Sequence, residues 1–309
     1  MKPVFEYGEG LKEFRQHPKF DDDEMYVVSF SGGRSSATLL KFLLEEFGGT
    51  LPPNFIVLFA NTGKEHPGTL DFVHEVEERW DVNIHWLEFA GVDLDDKNPI
   101  QEATFRVNRV DYESASRNGE PWIRVIETNP GYAPRRAVRL CTFYMKVGAM
   151  WSYMYHNKLM ITSKHKPSPF TNIVGFRKDE LSRLHATEMK CGRDPARPKV
   201  IAPLVHAGIT KHGVMRFWRD QPFDLDIPPG TGNCDLCFLK GRRELMKVAN
   251  ANPGMIDWWI EADRYAIELG ASRPMLPEGG YAALLENVKE QSGDLGEDNL
   301  LSLECSCTD

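Results

Sequence analysis

From residue 25 onward, short apolar runs alternate with longer stretches whose apolar residues recur at helical spacing. Met25 to Phe30 reads as a buried strand, and Thr38 to Phe47 follows as a helix carrying Leu39, Leu40, Phe42, Leu43 and Leu44, stopped by Gly48-Gly49. Phe55 to Phe59 is a second strand. Pro67 can open the next helix, in which Leu70, Phe72, Val73 and Val76 lead to Trp80, and Val82 to Leu87 is a third strand. Strands alternating with helices predict an α/β fold built on a parallel, doubly wound sheet. Such sheets bind ligands beyond the carboxyl ends of their strands, where residues 31–36 and the turn Asn61-Thr62-Gly63 both leave.

Between about 98 and 135 the pattern breaks under Asn98, Pro99, Asn118, Gly119, Pro121, Pro130 and Pro134, which predicts an insertion, either a substrate loop or a surface excursion. Periodicity resumes at 142–158, Thr171 to Gly175 and Val200 to Leu204. It then turns helical around Thr210 to Asp220, Phe238 to Ala249 and Met255 to Leu269. The expected organisation is an N-terminal extension over 1–24 and a nucleotide-binding α/β domain over 25–205. A mainly helical, cysteine-bearing region with an acidic tail follows over 206–309.

Composition narrows the function. No apolar run approaches the roughly 18 residues of a membrane span, and the N-terminus lacks a secretory core, so a cytoplasmic, reducing location is expected in which cysteines stay thiols or bind metal. The 37 Lys and Arg against 45 Asp and Glu leave a net charge of −8, a poor footprint for non-specific nucleic-acid binding. Local basic runs remain at Arg135, Arg136 and Arg139 and between Arg177 and Lys199; solvated faces are their ordinary explanation.

A strand that ends in Ser-Gly-Gly and feeds a helix places backbone amides at the positive end of the helix, with no Cβ in the way of a phosphate. Ser29, Ser31, Gly32, Gly33, Arg34, Ser35 and Ser36 form this candidate cradle, with hydroxyl donors and one permanent charge. The spacing fits neither the Walker loop nor the dinucleotide Gly-x-Gly-x-x-Gly pattern. Val28 to Ser36 instead resembles the Ser-Gly-Gly-x-Asp-Ser loop of PP-loop adenine-nucleotide enzymes, specifically the phosphoadenosine-phosphosulfate reductase superfamily. Phe59 to Glu65 resembles its second-strand turn, Cys141 with Lys146 its Cys-x-x-x-x-Lys block, and Val174 to Arg183 its Gly-x-Arg-x-x-Glu-Ser-x-Arg segment.

The resemblance implies that the loop holds nucleotide phosphates with Asn61, Thr62 and Gly63 beside the adenosine. It places Arg177 and Arg183 toward the anionic end of the substrate. One departure matters: Ser35 stands where the family carries Asp, which removes a carboxylate associated with metal-assisted pyrophosphate chemistry.

Cys234-Asp235-Leu236-Cys237 can grip one metal or one cluster with two thiolates, or be ordinary thiols. The resemblance favours a 4Fe-4S cluster over zinc, with Cys141 as third ligand and the fourth among Cys191, Cys305 and Cys307; Cys305 is the expected one. The tail Leu303 to Asp309 resembles the Glu-Cys-Gly-x-His tail of sulfonucleotide reductases without its glycine and histidine, which makes Cys305 a candidate nucleophile.

Two lines of sulfur chemistry follow. One is reduction of an adenylyl sulfate with a thiol or electron-donor protein as partner. The other is transfer of sulfur to an acceptor, nucleic acid among the options. The competing class is a nucleotide-binding regulator without catalysis. The histidines show no metal spacing, and Trp258-Trp259 is read as packing rather than base stacking.

Overall fold

The protein is seen in a computed structural model that describes residues 20–96, 98, 100–160, 169–193, 197–228, 232, 234–252 and 254–291, the side chain of residue 291 excepted. Its sheet has six strands: β1 (Tyr26–Phe30), β2 (Phe55–Ala60), β3 (Ile84–Val92), β4 (Phe105–Val110), β5 (Thr171–Val174) and β6 (Lys199–Ile201). The order across the sheet is β4-β3-β2-β1-β5-β6. Five strands run parallel and β4 runs antiparallel to β3. The α/β expectation therefore holds with one correction, since β4 lies in the stretch read as irregular. Phe105 is the only fully apolar anchor at its start; Arg106, Asn108 and Arg109 face solvent, as an edge strand allows.

Alternation along the central strands sends side chains to two different cores. Tyr26, Val28 and Phe30 of β1 and Val57 and Phe59 of β2 pack in one cluster with Leu39 and Leu43 of α1 (Arg34–Glu46) and Phe72 and Val76 of α2 (Pro67–Trp80). Val27, Leu58 and Leu87 point the other way, onto Trp151 and Met154 of the helix Ala149–His156. The sheet is thus covered on both faces, which is why β1 and β2 read as nearly continuous apolar runs.

Pro67 opens α2 as expected, with His66 as its cap. Beyond the sheet, helices Arg242–Ala251, Met255–Glu268 and Gly280–Gln291 build a second apolar cluster around Trp259 and Tyr281. Phe89, Phe105 and Trp122 reach that cluster from the sheet side. The helix over 280–291 was not anticipated; its Tyr281, Leu284 and Val288 are few for its length, and it starts at two glycines.

β1 has β2 on one side and β5 on the other, so the chain reverses its direction of sheet growth there. A crevice opens at such a point beyond the strand ends.

Candidate functional site

Two glycines shape the crevice. Gly32 has φ +74°, and a Cβ there would lie 2.7 Å from Thr69 Cγ2 of α2, so the turn out of β1 accepts only glycine without rearrangement. Gly175, just past β5, backs onto the start of α1: a Cβ would come within 3.0 Å of Ser36 N and Cα. The β1 loop and the β5 loop are therefore in backbone contact, and Gly33 begins α1 as a cap with no side chain.

Within the loop, Ser36 Oγ accepts from Ser31 N at 3.1 Å, lies 3.0 Å from Ser31 Oγ and donates to Gly33 O at 2.9 Å. Beside it lies a cavity of about 310 Å³. Ser29, Ser31, Ser36, Gly175 and Asn172 line it from the sheet, and Arg139, Thr142, Lys146, Arg183 and Thr187 from flanking segments. Val27, Trp151 and Phe170, which share one apolar cluster, and Val200 line it as well. Ser29 Oγ donates to Asn172 Oδ1 at 2.7 Å across the floor. The segment Thr142–Gly148 winds as a π-helix, so that Thr142, Lys146 and Val147 share one face with Met150 and Trp151 of the helix that follows. Such distortions recur at functional sites.

Not every expected side chain reaches the cavity. Arg34 turns away: its Nε pairs with Asp224 Oδ1 at 2.7 Å, and its Nη2 donates to Leu225 O at 2.6 Å. Arg177, expected toward the anionic end of the substrate, is buried. Its Nη1 donates to Ser35 Oγ at 2.8 Å, and its other nitrogens meet Asp179 and Glu180 at 3.3 Å. It locks the β5 loop to the first turn of α1. Arg183 lines the cavity, with its guanidinium over the Phe176 ring and bonded to Glu180.

Asn61 and Thr62 are buried and brace their own turn. Asn61 Nδ2 donates to Glu88 Oε1 at 2.6 Å and its Oδ1 accepts from Gly63 N at 3.0 Å. Thr62 N and Oγ1 donate to Glu65 at 2.9 and 2.8 Å. Ala60, one residue earlier, is the member of that strand end that lines the cavity. Burial raises the carboxyl pKa of Glu65 above the usual range, against the pull of the nearby Lys146 ammonium. Lys146 and Arg139 are the lining cations that reading by motif had not placed in the site. Lys146 was visible only as the end of the Cys141 block.

The cysteine turn lies against this second loop. Glu65 and Cys234 form an isolated antiparallel bridge, Asp235 N donates to Lys64 O at 2.9 Å, and Thr62 Oγ1 is 3.8 Å from Cys234 Sγ. Buried Lys240 bonds the carbonyls of Cys234 and Asp235, and Tyr281 Oη donates to Leu236 O at 2.6 Å. Cys141, Cys191, Cys234 and Cys237 are all free of disulfides. Cys234 and Cys237 share one small buried cluster, while Cys141 packs with Leu236 and Phe238. Among the described residues no three His, Cys, Asp or Glu side chains gather as a metal-holding group. The turn fits two sulfur ligands. Cys305 and Cys307 lie outside the described residues.

The chain is a largely parallel α/β sheet with a serine-glycine loop at its switch point. Within it, residues 25–128 match the phosphoadenosine phosphosulfate reductase domain family, in agreement with the resemblance read from the loop and turn. The nin region protein ORF290 of Escherichia phage lambda is 26% identical over 229 residues, 74% of this chain and 71% of its own length. The solved U34-tRNA thiolase NcsA from Methanococcus maripaludis, with its 4Fe-4S cluster, aligns over 97% of this chain and 86% of its own at 14% identity and a TM-score of 0.43. No described helix is long and apolar enough to cross a membrane.

Proposed function

We propose that the protein binds an adenine nucleotide in the cavity between the ends of β1 and β5 and uses it in sulfur chemistry. The observation that carries the reading is the cavity itself: hydroxyls of Ser31 and Ser36 beside the Gly175 backbone, three cations (Arg139, Lys146, Arg183) and the apolar side chains of Trp151 and Phe170. Phosphate and sulfate oxygens are held by such amide, hydroxyl and cation sets, and the base packs on the apolar side chains. Arg177, bonded to Ser35, keeps the two loops in register and acts as a positioning residue. The finer assignment is that Cys234 and Cys237 would hold an iron-sulfur cluster, with Cys141 and Cys305 completing the ligands. Such a group, when bound, supplies electrons or a site for sulfide. Iron and sulfide in anaerobically purified protein, lost in Cys234→Ser, support that assignment, whereas stoichiometric zinc without sulfide removes it.

Equilibrium binding of ATP and adenylyl sulfate tests the main reading. Lys146→Ala should weaken binding about 10- to 100-fold, the roughly 1.5–3 kcal/mol of one charge-assisted hydrogen bond. A folded Lys146→Ala protein with unchanged affinity for both ligands defeats the placement. One observation favours a second reading, a nucleotide-binding regulator: Ser35 brings no carboxylate, and its hydroxyl is already engaged by Arg177. Binding without pyrophosphate release or sulfite formation would select it.

A further inference from the structure

A second groove, of about 640 Å³, is lined in part by Phe238, Lys240 and Gly241, which follow the cysteine turn. Its cations come from three separate places in the sequence: Arg135 and Arg136 before the π-helix, Lys240 and Arg242 around the start of helix Arg242–Ala251, and Arg273 in the loop after helix Met255–Glu268. Glu278 is the single acid among the lining residues; it is 75% exposed and meets Arg242 at 3.3 Å. In a chain of net charge −8, four arginines line this groove against one acid, while the buried Lys240 ammonium is engaged by the Cys234 and Asp235 carbonyls.

The groove is also built. Arg136 Nη2 donates to Leu239 O at 2.9 Å, which ties the loop of the arginines to the cysteine turn, and Lys240 is anchored under the Cys234 and Asp235 carbonyls. It joins the nucleotide cavity through one short segment. Arg135 and Arg136 line the groove, Arg139 lines the cavity, and reciprocal hydrogen bonds between Arg135 and Val138 hold the turn between them.

We infer that this groove is a track for the phosphodiester backbone of a nucleic-acid strand, the acceptor that the adjoining nucleotide site acts on. The inference rests on the nucleotide reading of that site for the word acceptor, and on the groove alone for the binding. A small anion would be satisfied by one or two of these cations. Several arginines brought to one groove from separate segments match the repeated charges of a polyanion, which releases counterions for each phosphate neutralised. Arginine predominates, as suits bidentate contact with phosphate oxygens.

Fluorescence anisotropy of the full chain with short labelled RNA and DNA single strands, over a series of salt concentrations, tests it. Binding should fall steeply with salt. Arg135→Glu and Arg273→Glu, neither of which touches the nucleotide cavity, should each weaken it roughly tenfold at low salt and reduce the log–log salt slope by about 0.7–0.9. Both variants should keep wild-type ATP affinity, which separates failure of this proposal from failure of the nucleotide reading. Preference for RNA or DNA identifies the strand. Absence of salt-dependent binding to either, or binding that both folded variants retain in full, overturns the proposal. So does a gain of binding only after residues 292–309 are removed without any effect of the arginine variants, which would place the strand elsewhere.

Discussion

Arg177 sits where two loops must agree. Its guanidinium reaches Ser35 in the first turn of α1, Asp179 beside it and the buried carboxylate of Glu180, whose side chain also accepts from the Arg177 amide at 3.2 Å. Removing the guanidinium takes one cation from the buried Glu180 carboxylate, which Arg183 also meets, and takes away the donor to Ser35 Oγ. Arg177→Ala should therefore lower unfolding stability by roughly 3–5 kcal/mol, the range for breaking a buried pair on one side. Denaturant unfolding measures it, and Arg177→Lys should recover only part because ammonium cannot serve all three partners at once. A variant within 0.5 kcal/mol of wild type, as a surface change would be, is incompatible with the latch. Arg34 shows the same lesson in the opposite direction: a cation inside a phosphate-loop motif is committed to Asp224, 190 residues away. A motif fixes the backbone path, which depends on Gly32 and Gly33, but not the aim of a side chain whose partner comes from a distant segment.

At the scale of elements, the strand-loop-helix units over β1 to β3 were legible because their buried faces leave a periodic apolar record, and Pro67 and Gly48-Gly49 punctuate them. β4 and the π-helix were not. The edge strand carries too few apolar residues, and a π-turn is one extra residue per turn with no compositional mark. The junction of β3, β4 and the helix Ala149–His156 illustrates what they build. His85 Nδ1 meets Tyr153 Oη at 2.7 Å and its Nε2 meets Asn83 Nδ2 at 3.0 Å, while Asn83 Oδ1 accepts from Arg109 of β4. Asn83 is thereby oriented to donate, so Nε2 is the accepting nitrogen and the ring is neutral.

Burial, then the Arg109 charge, hold the His85 pKa at about 4, below the ordinary 6.5. The unfolded chain takes up this proton first. Stability is unaffected above pH 6.5 and falls as pH drops from about 6.5 toward 4, by about 1–2 kcal/mol after allowance for partial exposure. Urea unfolding of wild type and His85→Gln across that window should show the variant losing less stability toward acid. Parallel curves would show that His85 titrates normally.

Over the whole molecule, the second-strand turn and the cysteine turn meet at a buried ion pair. Lys64 Nζ lies 3.1 Å from Asp235 Oδ2, with side-chain exposures of 10% and 5%. Asp235 Oδ1 accepts from Trp259 Nε1 at 2.7 Å and from Leu236 N at 2.6 Å, and the Lys64 ammonium stands 4.8 Å over the Trp258 ring. Trp258 in turn packs on Gly119, where a Cβ would fall 2.1 Å from the indole, and Gly119 N donates to Gly63 O at 2.9 Å. Trp258-Trp259 is thus packing, as the sequence suggested, and its polar edges close a ring from the second-strand turn through the cysteine turn to helix Met255–Glu268 and back.

A pair this dry costs desolvation on both sides, so its net worth is small while the loss of one member is large. Asp235→Ala should destabilise the protein by about 3–5 kcal/mol, since Lys64 is left charged and Trp259 loses its acceptor. Lys64→Met should cost a similar amount by stranding the carboxylate. The double variant should cost less than the sum by roughly 1–3 kcal/mol, the coupling of two residues in contact, as read from a denaturant double-mutant cycle. Additive losses would mean that the two residues stabilise their regions separately and that the turn carrying Cys234 is not held to the nucleotide-side loop by this pair.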